Sequence, residues 1–458
     1  MPTLSIRNIT IITSLFWLPS LAYALLTSDG AMTDFFFWRH QLIMLSGMLA
    51  LVYMSLAVVL AARFQWLENI VNGLDKSYAL HKNLGIGSII TLVAHWAMVK
   101  SAHWLIDSGA IAMPQRGPRP EQIGIDWRGI AEGVGDVSFK LFLLFSIISL
   151  VQSISYKKFR FVHKIGGVLM LAGVFHSMLL MDWNFATLPM NTIITLFCLA
   201  GTYCSVLSLT GKIGRSNQAS GEVTQVDSLT TDGKRADTIR FSITLSKPIR
   251  YKEGQFAYLN FHDGESPHPF SILNYNAAEN MVEFGVKDLG DYTHKLVQTL
   301  QAGQRVTVEG GYGYFQIPED QQQVWVGAGI GIVPFISRLY WLAHKAKQQP
   351  NDAKHQPVNI EKIHLFYCVN SRKEAYFEKE ITNVIGNLLN KLDIVELEIV
   401  DAEKGQLLDA QQVLQKTQGQ AYNVSFCGPR PFATSLKSDL VASGLNENNF
   451  HSELFKMR

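Results

Sequence analysis

Four histidines pose the first chemical question. In "HKNLGIGSIITLVAH" His81 and His95 stand fourteen positions apart, and in "FVHKIGGVLMLAGVFHSMLL" His163 and His176 stand thirteen apart. An ionisable ring inside an apolar run is costly to bury and marks a partner or a ligand. Fourteen residues is close to four helical turns and thirteen is near it, so both rings of each run lie roughly on one face, at levels about 21 Å apart. Paired level by level across a helix bundle, such imidazoles would clamp a haem iron from both axial sides. Separate packing residues or a proton relay are the alternatives, and matched depths in two helices favour the pairs. Gly85, Gly87, Gly166, Gly167 and Gly173 would leave room for a flat macrocycle, or serve tight helix packing. His40 and His103 read as outer-surface histidines, and Arg39 as a partner for a haem propionate.

A second set of residues lies in the other half of the chain. In "HPFSIL", His268 can reach a phosphate and Ser271 can hydrogen-bond a flavin ring edge. "GAGIGIVPF", Gly327 to Phe335, follows a strand and opens a helix, so its glycines let backbone N–H groups approach a pyrophosphate. "FCGPRPF", from Phe426, and "HSELF", from His451, strengthen that reading.

The elements that must position these residues divide the chain in two. Over 458 residues, 48% are hydrophobic and only 17% charged, apolar for a soluble enzyme. Six segments near residues 9–27, 36–61, 80–104, 138–155, 161–181 and 190–210 are long and apolar enough to span a bilayer. Arg63, Lys76, Lys82, Lys157, Lys158, Arg160, Lys164, Lys212 and Arg215 flank alternate ends, which orients both termini inward. The first segment, with Arg7 and "AYA" at residues 22–24, also fits a cleavable signal peptide; cleavage would not change the orientation downstream. "MPQRGPRP" and "WRGIAEGVGDV" read as an outer connection, a candidate docking site for an acceptor. A net charge of +2, with no basic arm and no zinc-type cysteine pairing, gives no case for a nucleic-acid partner. Cys198, Cys204, Cys368 and Cys427 form no CxxC and read as free thiols.

From Gly211 onward the chain reads as soluble. Short alternating stretches such as "TIRFSITL" and "QFAYLNF" within residues 218–318 predict an antiparallel β-barrel. Alternating strands and helices from Gln323 predict an α/β doubly wound sheet. The expected domains are a transmembrane all-α six-helix bundle over 1–212, a barrel over 213–318 and an α/β nucleotide domain over 319–458.

Together these residues resemble the NADPH oxidase and ferric reductase family, a transmembrane di-haem domain fused to a ferredoxin-NADP reductase-like module, and the resemblance covers nearly the whole chain. It implies that His81 with His163, and His95 with His176, ligate two b-type haems. It implies a flavin motif at His268, Pro269, Phe270 and Ser271, with Lys287 and Thr293 of "VKDLGDYT" on the FAD phosphates. Gly327, Gly329, Gly331 and Pro334 would hold the nicotinamide dinucleotide, Cys427, Gly428 and Pro429 would lie beside the nicotinamide, and Phe455 would stack on the isoalloxazine. Ser271, Cys427 and Phe455 are thus the catalytic candidates. Ser371 and Arg372 after "HLFYCVN" are placed to take a 2′-phosphate, which favours NADPH over NADH; a solvated surface arginine is the plainer reading. Three positions depart from the family pattern: Val333 replaces a threonine, Gly311 a proline, and Val99 the further histidine usual in superoxide-producing members.

A nicotinamide gives two electrons at once and a haem iron accepts one, so a flavin must stand between them. The expected activity is electron transfer from cytosolic NADPH through FAD and the haems to an outer acceptor: ferric chelate, oxygen, quinone or a redox protein. The compact loops suggest a bacterial inner membrane. The rival is a haem-free membrane transporter or sensor with a regulatory nucleotide module.

Overall fold

The structure is a computed structural model that describes residues 5–28, 33–112, 124–151, 159, 162–230, 237–313, 315, 317–318, 322–348, 360–389 and 394–452. Phe455, Lys157, Lys158, Arg160 and the stretch "MPQRGPRP" lie outside the described residues. The chain divides into two compact units, 1–72 with 76–213, and 73–75 with 214–458.

The first unit is helical. Its helices are α1 (Ile6–Thr27), α2 (Phe35–Ala61), the short α3 (Gln65–Val71), α4 (Leu74–Asp107), α5 (Trp127–Leu150), α6 (Ile165–Leu180) and α7 (Leu188–Leu209). Five of them, α1, α2, α4, α5 and α7, are long and apolar enough to cross a membrane, and α6 is a shorter apolar helix of 16 residues. Helix α2 packs on α7 and α5 on α6, and Met48 and Val52 of α2, Met170 of α6 and Met190 of α7 share one core. Outward faces carry Leu15, Ile90, Leu144 and Leu199. Large exposed apolar side chains suit a hydrocarbon surround, because lipid leaves no water to penalise them.

The sequence reading placed the fourth span near residue 138 and "WRGIAEGVGDV" in a loop. That stretch is instead the first three turns of α5, which opens at Trp127 with Asp126 accepting a hydrogen bond from the backbone N–H of Gly129 at 2.8 Å. Three glycines and an acidic pair mask the start of this helix from a hydropathy reading. The Asp126 cap supplies the missing start signal.

The second unit holds two cores. Strands β1 (Gln218–Leu229), β2 (Thr238–Leu245), β3 (Phe256–Asn260), β4 (His268–Asn276), β5 (Met281–Lys287) and β6 (Arg305–Tyr312) close a barrel in the order β1-β2-β5-β4-β3-β6. Along β2, Ile239, Phe241, Ile243 and Leu245 alternate into its interior, as the two-residue period of a strand requires. Helix α8 (Asp291–Thr299) seals it with Leu296 and Val297.

A parallel sheet follows, β11 (Phe450–Ser452), β10 (Asn423–Cys427), β7 (Gln322–Ala328), β8 (Lys362–Val369) and β9 (Val395–Asp401) in that order. Its helices are α9 (Val333–Gln348), α10 (Glu378–Leu389), α11 (Ala410–Thr417) and α12 (Arg430–Ala442). Trp325 of β7 enters the core on one face, Val324 and Val326 the core on the other, as in a parallel sheet covered on both sides.

Candidate functional site: two histidine pairs and a dinucleotide crevice

In the helical unit the four histidines meet in two pairs. The ring centres of His81 and His163 are 5.7 Å apart and those of His95 and His176 are 6.3 Å apart. A metal–imidazole bond of about 2 Å on each side sets two ring centres about 6 Å apart, so each gap suits one axially ligated iron. Three Nδ1 atoms meet backbone carbonyls: His81 with Ala57 at 2.7 Å, His95 with Ile43 at 3.1 Å, His176 with Ala131 at 2.8 Å. A ring whose Nδ1–H donates to a carbonyl presents Nε2 as its ligating atom, in a fixed orientation. His163 is seated differently, with Ser149 Oγ 3.3 Å from its Nδ1 and the phenyl rings of Phe145 and Phe159 stacked on it. The chemistry of this donor set fits two b-type haems.

The acceptor carbonyls Ile43 and Ala57 lie fourteen residues apart on α2, the same interval as His95 and His81 on α4. No side-chain letter encodes a carbonyl, which is why the sequence did not reveal these partners. Of the five glycines read as haem space or tight helix packing, Gly87 abuts Ile6 and Tyr53, Gly166 abuts Phe145, Gly167 abuts Leu209 and Gly173 would place a Cβ 4.0 Å from Leu51, while a Cβ on Gly85 would meet nothing within 4 Å. Gly47 and Gly135 are the glycines against the rings of His95 and His176. Arg39 donates to the Val99 carbonyl at 2.7 Å.

In the second unit, His268 to Ser271 open β4 and pair with Leu259 to Phe256 of β3. The His268 ring stacks on Tyr292 of α8, centres 3.7 Å apart and planes within 10°. Its Nε2 is buried with no hydrogen-bond partner among the described residues. Burial pulls its pKa below the usual histidine value, against the opposing pull of Glu265 and Asp263. A buried orphan imidazole nitrogen is what a phosphate oxygen would satisfy, so these residues fit a flavin dinucleotide. Phe270 packs on the barrel core. Lys287 is held by Glu374 at 2.7 Å, and the Thr293 hydroxyl accepts from the N–H groups of Leu289 and Gly290 at 2.9 and 3.0 Å.

The dinucleotide crevice follows from strand order. The chain leaves β7 toward β8 on one side, and β10 later returns to the other side of β7. Their carboxyl ends therefore flank a topological switch point, where open α/β sheets bind ligands. Gly327 and Cys427 are direct neighbours across these strands. Gly329 sits at φ +56° with nothing near its Cβ position, whereas a Cβ on Gly331 would collide with the carbonyl of Cys427. The loop thus lies against Cys427 and Gly428, and Pro334 is the second residue of α9, whose N-terminus faces the loop's end. Pro429 precedes α12 as its cap. Ser371 bonds the Glu403 carboxylate and Arg372 the Glu378 carboxylate, so both 2′-phosphate candidates carry acidic partners.

Polar bridges join barrel and nucleotide fold. Arg240 of β2 contacts Glu283 of β5 at 2.9 Å and Glu380 of α10 at 3.1 Å, and the Tyr340 hydroxyl of α9 donates to Glu380 at 2.6 Å. Burial raises the Glu380 carboxyl above the usual range. Neither this cluster nor Tyr292 stood out in the sequence, since each joins residues distant along the chain.

The sequence has recognisable relatives. Residues 46–174 match the family described as ferric reductase like transmembrane component, and residues 224–350 match an FAD-binding domain family. The anthranilate 1,2-dioxygenase electron transfer component of Acinetobacter baylyi is 25% identical over 215 residues, 46% of this chain and 59% of that protein. NADPH oxidase 1 of Rattus norvegicus is 30% identical over 135 residues, 28% of this chain and 21% of that protein. The chain thus spans 59% or less of the length of these two relatives. An Amycolatopsis cytochrome P450 reductase aligns with a TM-score of 0.42 at 16% identity, over 52% of this chain and 69% of that one.

A helical unit with five helices long and apolar enough to cross a membrane, matching a ferric reductase like transmembrane component, is thus followed by a unit that matches an FAD-binding domain. In these matches the chain is similar to NADPH oxidase and ferric reductase-like proteins.

Proposed function

We propose that this protein carries electrons from cytosolic NADPH through FAD and two bis-histidine b-type haems to an acceptor on the outer face of a bacterial inner membrane, with both termini inside. When bound, the nicotinamide would supply a hydride, the flavin would divide the electron pair, and the haem irons would take electrons singly across a layer that ions do not enter cheaply. The chain's own residues hold and orient. His81 with His163, and His95 with His176, would ligate the irons through Nε2, and the carbonyls of Ala57, Ile43 and Ala131 fix three of the four rings. His268 would meet an FAD phosphate, Ser271 the flavin ring edge, and Lys287 and Thr293 the pyrophosphate side. Gly327, Gly329, Gly331 and Pro334 would cradle the dinucleotide, with Cys427, Gly428 and Pro429 beside the nicotinamide and Phe455 over the flavin. Arg372, freed from Glu378, would take the 2′-phosphate.

The observation that carries the reading is the double histidine pair with tethered Nδ1 atoms. Its test is a reduced-minus-oxidised spectrum of the purified protein. A b-type signal is expected, about half of it lost in His95→Leu with His176→Leu. No haem signal in the wild type would favour a haem-free transporter or sensor instead. Anaerobic NADPH should reduce the haem bands, and bands that stay oxidised reject the route. Initial rates with ferric chelate, oxygen and quinone identify the acceptor.

A further inference from the structure

We propose that Gly47 and Gly135 are positioning residues that set the ring orientation of the outer histidine pair, an inference that rests on the two-haem reading. Two separate helices present the same device. On α2 the Ile43 carbonyl meets His95 Nδ1, and four residues on stands Gly47, whose Cβ would lie 3.1 Å from Cε1 and 3.2 Å from Nδ1 of that ring. On α5 the Ala131 carbonyl meets His176 Nδ1, and four residues on stands Gly135, whose Cβ would overlap the same edge of that ring and lie 3.1 Å from Cγ.

The coincidence has a geometric cause. In a helix the carbonyl of residue i points along the axis toward the N–H of residue i+4, whose Cβ leans back over the preceding turn. At Ile43 and Ala131 the imidazole that reaches the carbonyl enters the volume that the i+4 side chain would fill. At these two sites glycine leaves it open. A methyl group at either position would push the ring off the carbonyl and turn Nε2 away from the axis shared with its partner. The ring cannot swing aside freely, because its Nδ1 is tethered.

The inner pair lacks this arrangement. His81 meets the Ala57 carbonyl with Ala61 at the corresponding position, and His163 leans on a hydroxyl and two phenyl rings. General helix packing does not account for the choice of sites, since Gly133 on the same helix, and Gly85 on α4, have nothing within 4 Å of a Cβ.

Full-length protein carrying Gly135→Ala, Gly47→Ala or Gly133→Ala would be purified, its haem-to-FAD ratio measured, and its low-spin ferric signals recorded by low-temperature EPR. Gly135→Ala is expected to lower the ratio from about two to about one, or to shift one of the two low-spin signals and leave the other. Gly47→Ala, with more clearance, should shift the same signal without loss. Gly133→Ala should match the wild type. Signals and ratio unchanged in both Gly135→Ala and Gly47→Ala overturn the proposal, as does equal loss of both haems in the two variants. A wild type without haem instead overturns the reading beneath it, which separates the two failures.

Discussion

His268 shows what a single residue adds to the sequence that encodes it. The letter identified a ring able to reach a phosphate; the fold supplies Tyr292 as its stacking partner and leaves Nε2 orphaned. Burial holds its folded pKa below the unfolded value near 6.5, so between those values the unfolded chain binds more protons. Stability of the flavin-free protein should accordingly fall as pH drops below about 6.5, and less steeply in His268→Gln. Thermal midpoints of the reductase-unit transition across pH 5–8, identical in slope for both proteins, would refute this. Arg240 makes a second residue-scale case, because it is the cation shared by Glu283 and Glu380. Arg240→Met would leave two half-desolvated carboxylates facing each other and should cost about 2 kcal/mol, below the fully buried figure because Arg240 is partly exposed. Glu380→Gln keeps an acceptor for Tyr340 and should be within about 1 kcal/mol of neutral. Urea titrations of the two variants compare them directly. Neither expectation was legible in the sequence, where Arg240 and Glu380 are 140 residues apart.

At the scale of elements, period and punctuation spoke clearly for the barrel and the parallel sheet. The alternation of "TIRFSITL" became β2, and the apolar run "QVWVGA" became β7, buried on both faces. Helix α5 was misread because its opening turns carry Gly129, Gly133 and Gly135, poor helix formers that hydropathy also passes over. Tertiary contact explains one of them, since Gly135 borders His176. The turn between β7 and α9 yields a third prediction. A side chain on Gly331 must displace the backbone at Cys427 or its own loop, so Gly331→Ala should destabilise the reductase unit by about 1–3 kcal/mol and slow flavin reduction by NADPH. Stopped-flow flavin bleaching at wild-type rate would count against it. Gly329→Ala meets no atom, yet its φ of +56° makes it the strained alternative, at about 1 kcal/mol.

At the scale of the molecule, each unit is built on its own core, the helical one around Met48, Val52 and Met170, the reductase one around the barrel and the two faces of the sheet. Damage to one should therefore spare the other. His95→Leu with His176→Leu is expected to retain FAD at wild-type occupancy and to keep NADPH-driven flavin reduction within about twofold, since the residues proposed to hold FAD, His268, Ser271, Lys287 and Thr293, all belong to the second unit. Loss of flavin in that variant would contradict such independence. The order of modules was readable from composition alone, because a bilayer and water select opposite surfaces. The acceptor was not, because the sequence marks where the rings stand and carries no letter for what meets them from outside. The paired carbonyls of α2 extend the argument from chemistry to heredity. Ile43 and Ala57 face His95 and His81 at one common interval on antiparallel helices. One residue inserted into either helix alone would turn one contact by about 100° relative to the other. Lengths of α2 and α4 should thus be inherited together: relatives with a longer histidine interval should carry a matching insertion in the second helix, and a variant whose haem signal is lost to an extra residue after Ser88 should regain it when one residue is also added between Ile43 and Ala57.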